Sequence, residues 1–257
     1  LCAKALRVLS YNFSREMLNS QVAIRTLLRF INTNDINLML SGAHILTNIL
    51  LKTNNLDEEF HKLIVDNIIT LAKSNNKELN KLCVICLCLA SQSESCRTGI
   101  VSSGMLQMID SNTIFSDPIV SYAYITMFGN IANNPNMRSK VFDEHLIERF
   151  ERICDSNMLH LQIAVAKALY CLSCSQENIP KLINQNIIPM IKTMSEFTKN
   201  TATTTNNTTT GTTTSTTNNA PNMELLSHLI ACLYNLTIVI DIQHQLVSQG
   251  FVPVLRN

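Results

Sequence analysis

Ile45-Leu46-Thr47-Asn48-Ile49-Leu50 is one of six copies of a phrase that recurs along the chain. The others are Ala5-Leu6-Arg7-Val8-Leu9-Ser10, Ile85-Cys86-Leu87-Cys88-Leu89-Ala90 and Met127-Phe128-Gly129-Asn130-Ile131-Ala132, then Ala168-Leu169-Tyr170-Cys171-Leu172-Ser173 and Cys232-Leu233-Tyr234-Asn235-Leu236-Thr237. The fifth residues fall at 9, 49, 89, 131, 172 and 236, so the intervals are 40, 40, 42, 41 and 64. A period near 40 is the signature of a helical solenoid, in which each repeat contacts only its neighbours. Around the fifth copy, Ile163, Ala164, Ala168, Leu169 and Leu172 follow helical spacing, with good helix formers between them.

The bulk composition agrees. Among 257 residues, 46% are apolar and only 15% charged, so much of each helix must be buried between layers. A net charge of +1 gives no global attraction for nucleic acid or an anionic membrane. No apolar run approaches the roughly 20 residues that span a bilayer. Leu1-Cys2-Ala3-Lys4 does not read as a signal peptide. Nine cysteines include Cys83, Cys86 and Cys88, and a C-x-x-C at Cys171 and Cys174. Both clusters lie inside the helical phrase rather than in spaced pairs across a loop, so they read as small buried thiols in a reducing compartment and not as a metal site.

The order around each phrase sets the repeat. Glu94 to Ser102 reads as a short helix, Ser103-Gly104 as a turn, and Met105 to Ile109 as the next helix. The same order is expected at Ile179–Ile183, Asn184-Gln185-Asn186 and the segment from Ile187, and again at Met137–Asp143 and Leu146–Cys154. His244–Ser248, Gln249-Gly250 and Phe251–Leu255 would be the last. Gly104 and Gly250 occupy equivalent places, where a sharp turn favours positive φ. The expected unit has three helices, the longest carrying the phrase. Complete units span about 14–53, 54–92, 93–133, 134–174 and 175–238, with partial repeats at 1–13 and 239–257. Because no polar capping helix is evident at either end, the chain reads as an excerpt of a longer array, with further helices or a partner covering its exposed Leu and Val faces. The interval of 64 has a visible cause. A tract rich in Thr and Asn, at about 199–222, has almost no charge and no large apolar side chain, and is expected to be disordered. Removing it restores the period.

The phrase resembles the Ala-Leu-x-Asn-Leu-Ser core of the armadillo repeat. Glu94 to Gly104 and His244 to Pro253 are similar to that family's first helix, Gly turn and second-helix opening. The resemblance implies an all-α fold, a right-handed superhelix of three-helix repeats whose third helices line a concave groove. It also implies that the Asn of the phrase faces the groove and bonds the backbone of an extended peptide through its amide. That Asn is present as Asn48, Asn130 and Asn235. Val8, Cys88 and Cys171 hold the matching positions elsewhere and cannot do the same. The family's import receptors place a Trp four residues earlier, where this chain has Lys4, His44, Val84, Thr126, Lys167 and Ala231. A conventional import receptor is therefore disfavoured, and so is a continuous basic groove.

The expected groove residues are Asn48, Asn130, Asn235, His44, Lys167 and Tyr122. No phosphate loop, H-E-x-x-H or G-x-S-x-G is present, and the six histidines lie in different repeats. The sequence therefore points to a non-enzymatic scaffold that binds a peptide or helix in its groove, without cofactor or metal, in the cytoplasm or alternatively the nucleus. Two alternatives are a regulator of a globular partner, such as a small GTPase or chaperone client, and a divergent nuclear-transport adaptor. RNA binding would need a basic stripe or stacking side chains, which 5% aromatics do not supply.

Overall fold

The computed structural model describes residues 2–52, 58–109, 111–115, 117–143, 145–204 and 220–248. Among these, every regular element is a helix. The chain divides into two compact units, residues 1–127 and 128–257. In the first lie α1 (Cys2–Asn12), α2 (Ser14–Leu18), α3 (Gln21–Ile31), α4 (Ile36–Lys52), α5 (Glu58–Ala72), α6 (Lys77–Ala90), α7 (Glu94–Ser102), α8 (Met105–Met108) and α9 (Ser111–Ile114). The boundary falls inside α10 (Pro118–Ala132). The second unit continues with α11 (Leu146–Cys154), α12 (Leu159–Ser173), α13 (Ile179–Asn184), α14 (Ile187–Thr204), α15 (Ala220–Leu236) and α16 (Ile240–Ser248).

Local chemistry explains many of the boundaries. The Asn76 side chain accepts from the Glu78 and Leu79 backbone N–H groups and opens α6. The Ser20 hydroxyl caps α3 through the Ala23 N–H. Asp117 accepts from Ile119 N ahead of Pro118, the first residue of α10. Gly104 turns the chain between α7 and α8 at φ 69°, as its place in the sequence required. The corresponding break before α14 uses Asn186 at φ 61°, Asn being the side chain that best tolerates this region.

Among the described residues the helix count per unit varies, being three in 14–53 and 175–238 and four in 93–133. The described residues of 54–92 carry two helices, because nothing between Glu58 and Ala72 breaks α5, a run without Gly or Pro. Residues 134–174 also carry two. Met137 to Asp143 forms successive turns, in which Met137 N donates to Asn134 O and Lys140 N to Met137 O. Arg138 holds these turns by donating from Nε to Ala132 O at 2.7 Å. The low-complexity tract is narrower than expected on both sides, since α14 runs to Thr204 and α15 starts at Ala220. Residues 205–219 and 249–257, including Gly250 and the expected helix from Phe251, lie outside the described residues.

Phrase helices are neighbours in each unit. In the first, α1 packs on α4 and α4 on α6, and in the second α12 packs on α15. The apolar phrase positions make these contacts. Leu46, Ile49, Leu169, Leu172, Leu233 and Leu236 are each 1% exposed or less. Each such burial stabilises by about 1.5–3 kcal/mol. In the second unit Phe128 and Phe150 meet edge to face at 6.0 Å.

Two glycines test how tightly the layers pack. A Cβ at Gly42 would stand 2.9 Å from Ile31 Cγ1 and 3.3 Å from Phe30 Cβ, against a side chain fixed in the core. A Cβ at Gly129 meets nothing closer than 3.9 Å. Gly129→Ala should therefore raise stability by about 0.5–1 kcal/mol through helix propensity, whereas Gly42→Ala should lower it by about 1–3 kcal/mol through overpacking. Urea denaturation of the two variants checks this, and equal shifts of the same sign would contradict it.

Candidate functional site

The Asn column organises the site, but its amides are engaged differently from the expected peptide ladder. Asn48 Nδ2 donates to Ser10 Oγ at 2.9 Å and lies 3.3 Å from Arg7 O. Ser10 Oγ in turn donates to Arg7 O at 2.7 Å. In the other unit Asn235 Nδ2 donates to Ser173 Oγ at 3.0 Å, and Ser173 Oγ donates to Tyr170 O at 2.8 Å. The arrangement is the same in both places. The fourth residue of one phrase bonds the sixth residue of the phrase before it, which bonds its own third carbonyl. Ser10 and Ser173 are buried, so these are bonds between stacked layers. The amide donors of Asn48 and Asn235 are thus held within the fold, because a buried serine oxygen lies closer to hand than any ligand. What each amide retains is Oδ1, for which no partner occurs among the described residues.

This pairing accounts for two of the three Asn positions in the ladder. Copies ending in Ser10 and Ser173 are followed by copies with Asn48 and Asn235. Copies ending in Leu50 and Ala132 are followed by copies with Cys88 and Cys171, which need no such bond. Asn130 follows a copy ending in Ala90, with Ser91 one place later. The joint occurrence of Ser and Asn in successive copies was the available signal in the sequence. It is visible only when the phrases are compared with their predecessors.

Of the six expected groove residues, the structure joins two in one cavity. His44 and Asn48 line an open hollow of about 310 Å³ together with Arg7, Val8, Tyr11 and Asn12. Tyr122, also in the first unit, is 45% exposed on α10 and does not line this hollow. In the second unit Asn130 is half-buried, Lys167 is exposed on α12, and Asn235 is half-buried on α15. Sequence reasoning missed Arg7, Tyr11 and Lys52. Lys52 Nζ sits 5.0 Å from the Tyr11 ring centre, a cation–π contact.

The cysteines are mostly interior. Cys83, Cys86, Cys88, Cys96, Cys154, Cys171 and Cys232 are buried free thiols, while Cys174 is exposed. Burial pushes Cys88 and Cys96 up to about 11, and Cys86, Cys154 and Cys232 up to about 12. These thiols hold their protons and act as small apolar fillers. Cys86 Sγ packs 3.1 Å from Thr47 Oγ1 of the preceding phrase. Among the described residues, no group of three or more His, Cys, Asp or Glu side chains could hold a metal ion. No helix among them is long and apolar enough to cross a membrane.

Two histidines carry the electrostatic signature of the phrase faces. Burial lowers His44 below its ordinary 6.5, Arg7 lowers it further, and Glu78 opposes. Burial likewise lowers His228, with Glu224 opposing and Lys167 adding to the effect. His228 also stacks on Tyr170 at 6.2 Å.

In the folded chain both imidazoles bind protons less readily than in the unfolded chain. Their contribution to stability is therefore present above the unfolded value and lost as pH falls through the folded one. The urea midpoint should drop between about pH 7.5 and about pH 5.5, and His44→Gln with His228→Gln should flatten that drop. An unchanged slope in the double variant would show that these two sites do not govern it. Separately, Asn235→Ala and Ser173→Ala should each cost about 1 kcal/mol. Their double-mutant cycle should return a coupling of about 0.5–1.5 kcal/mol, and a coupling of zero would remove the interlayer bond from the account.

No protein-family model matches the chain, and no curated protein matches it. Among solved structures, the chain is similar to an engineered protein determined by the Northeast Structural Genomics Consortium. The likeness has a TM-score of 0.66 at 17% identity, covering 91% of this chain and 88% of the other. At that identity the likeness is one of helical fold.

Proposed function

We propose that this chain is an armadillo-type repeat array acting as a non-enzymatic interaction scaffold, which holds an extended peptide or partner helix along its phrase helices. The observation that carries the reading is the hollow between α1 and α4. It contains His44 and Asn48, two residues singled out by the repeat register, beside the exposed Tyr11. The packing of α1 on α4, α4 on α6 and α12 on α15 supports reading each unit as stacked repeats. The Asn48 Oδ1 can accept one peptide N–H while Nδ2 stays bonded to Ser10. An aromatic ring and a polar amide in one concavity are what a peptide site requires.

Selection from a displayed library of random peptides, each about 12 residues long, tests this reading. The whole chain should enrich related sequences, and Tyr11→Ala with His44→Ala should abolish the enrichment while leaving the helical circular-dichroism signal unchanged. Identical enrichment by wild type and variant would remove the α1–α4 hollow as the binding surface.

A further inference from the structure

We propose that the α1–α4 hollow takes a charge-segregated peptide, one that presents a carboxylate side chain to Arg7 and His44 and a neutral or basic residue to Glu16. This deepens the peptide-binding reading above and rests on it. The first support is an unbalanced cation. Arg7 is exposed at the hollow, and among the described residues it forms no salt bridge. His44 shares the same hollow, and the Arg7 charge already disfavours its protonation. A carboxylate seated between the two satisfies Arg7 and favours the imidazolium, so both partners strengthen the contact.

The second support is an adjoining hollow of about 400 Å³, lined by Tyr11, Asn12, Ser14, Glu16 and Lys52. It shares Tyr11 and Asn12 with the first, so one short ligand can lie across both. The cation here is occupied differently, since Lys52 sits on the Tyr11 ring. Glu16 is exposed and forms no salt bridge among the described residues. The charged groups therefore differ across the Tyr11 ring, a cation without a carboxylate at Arg7 and a carboxylate with Lys52 nearby at Glu16.

The Glu16 carboxylate favours a peptide over a polyanion. A nucleic acid carries a phosphate at every step and would meet Glu16 with one of them. It also needs open aromatic faces for its bases, whereas Lys52 occupies a face of Tyr11.

Fluorescence anisotropy with the whole chain tests the proposal. The probes are a labelled peptide of about 12 residues with Asp and Glu in one half and Ser and Lys in the other, its Asn/Gln counterpart, and a uridine oligomer of similar length. The acidic–basic peptide should bind, and Arg7→Glu should weaken it about tenfold or more, with Glu16→Lys weakening it less. Both substituted residues are exposed, and circular dichroism verifies that the variants fold. If the Asn/Gln peptide binds equally tightly and Arg7→Glu has no effect, the charge proposal falls while the peptide reading stands. If no peptide binds, both fall together. Binding of the uridine oligomer alone, sensitive to Arg7→Glu, would overturn the proposal in favour of nucleic acid.

Discussion

Burial of the phrase residues between neighbouring helices is the constraint on which the other features depend. A chain with so few charged side chains can hide its apolar surface only by covering each helix on more than one side. The phrase helices do this in sequence, α4 lying between α1 and α6 with Leu46 and Ile49 sealed inside. Thiols at Cys86 and Cys232 fit the same need, filling small gaps and staying protonated because the surroundings are dry. Turn chemistry follows from the packing, since helices that must lie against their neighbours need abrupt reversals. Gly104 and Asn186 provide these through left-handed backbone.

Within that apolar stack, the Asn–Ser bond sets register. Apolar contact is non-directional, and a helix could slide by a turn with modest loss. A buried serine hydroxyl that must both donate to its own helix and accept from the next fixes one alignment. Asn48 with Ser10 and Asn235 with Ser173 do so in separate units with the same atoms. The isolated amide would be a poor interior residue. With both partners present it becomes a directional link, and removing the Asn leaves the buried serine oxygen without its donor.

The all-helical fold was legible because its signal is redundant. Six copies of one apolar spacing outweigh any local ambiguity, and the buried leucines lie where the register put them. Boundaries inside the units were less legible. The break expected within 58–72 is missing because the residues there all suit a helix, and an absent breaker is weaker evidence than a present one. Met137 to Asp143 was read as helix from its place in the repeated order of elements, yet Arg138 and Asn134 draw the backbone into turns through side-chain bonds. The interlayer bonds of the Asn column were not legible for a different reason. Its side chains were read one repeat at a time, while their partners stand in the preceding repeat. Arg7 and Lys52 were overlooked because a hollow between helices has no contiguous motif.

The uneven column also constrains how any ligand can be held. In the first unit the fourth phrase position passes from Val8 to Asn48 to Cys88, so one amide stands between two positions that offer a peptide backbone nothing comparable. Cys88 is buried and its thiol protonated, which leaves the α6 level without a polar anchor. A ladder of equal steps would bind many sequences by backbone contacts alone. A single amide cannot, and discrimination must then come from side chains beside it. Around Asn48 those are a guanidinium, an imidazole and a tyrosine, with a carboxylate beyond the ring. Under the proposed peptide reading, local charge would decide which sequences are accepted, in a chain whose overall charge is close to zero.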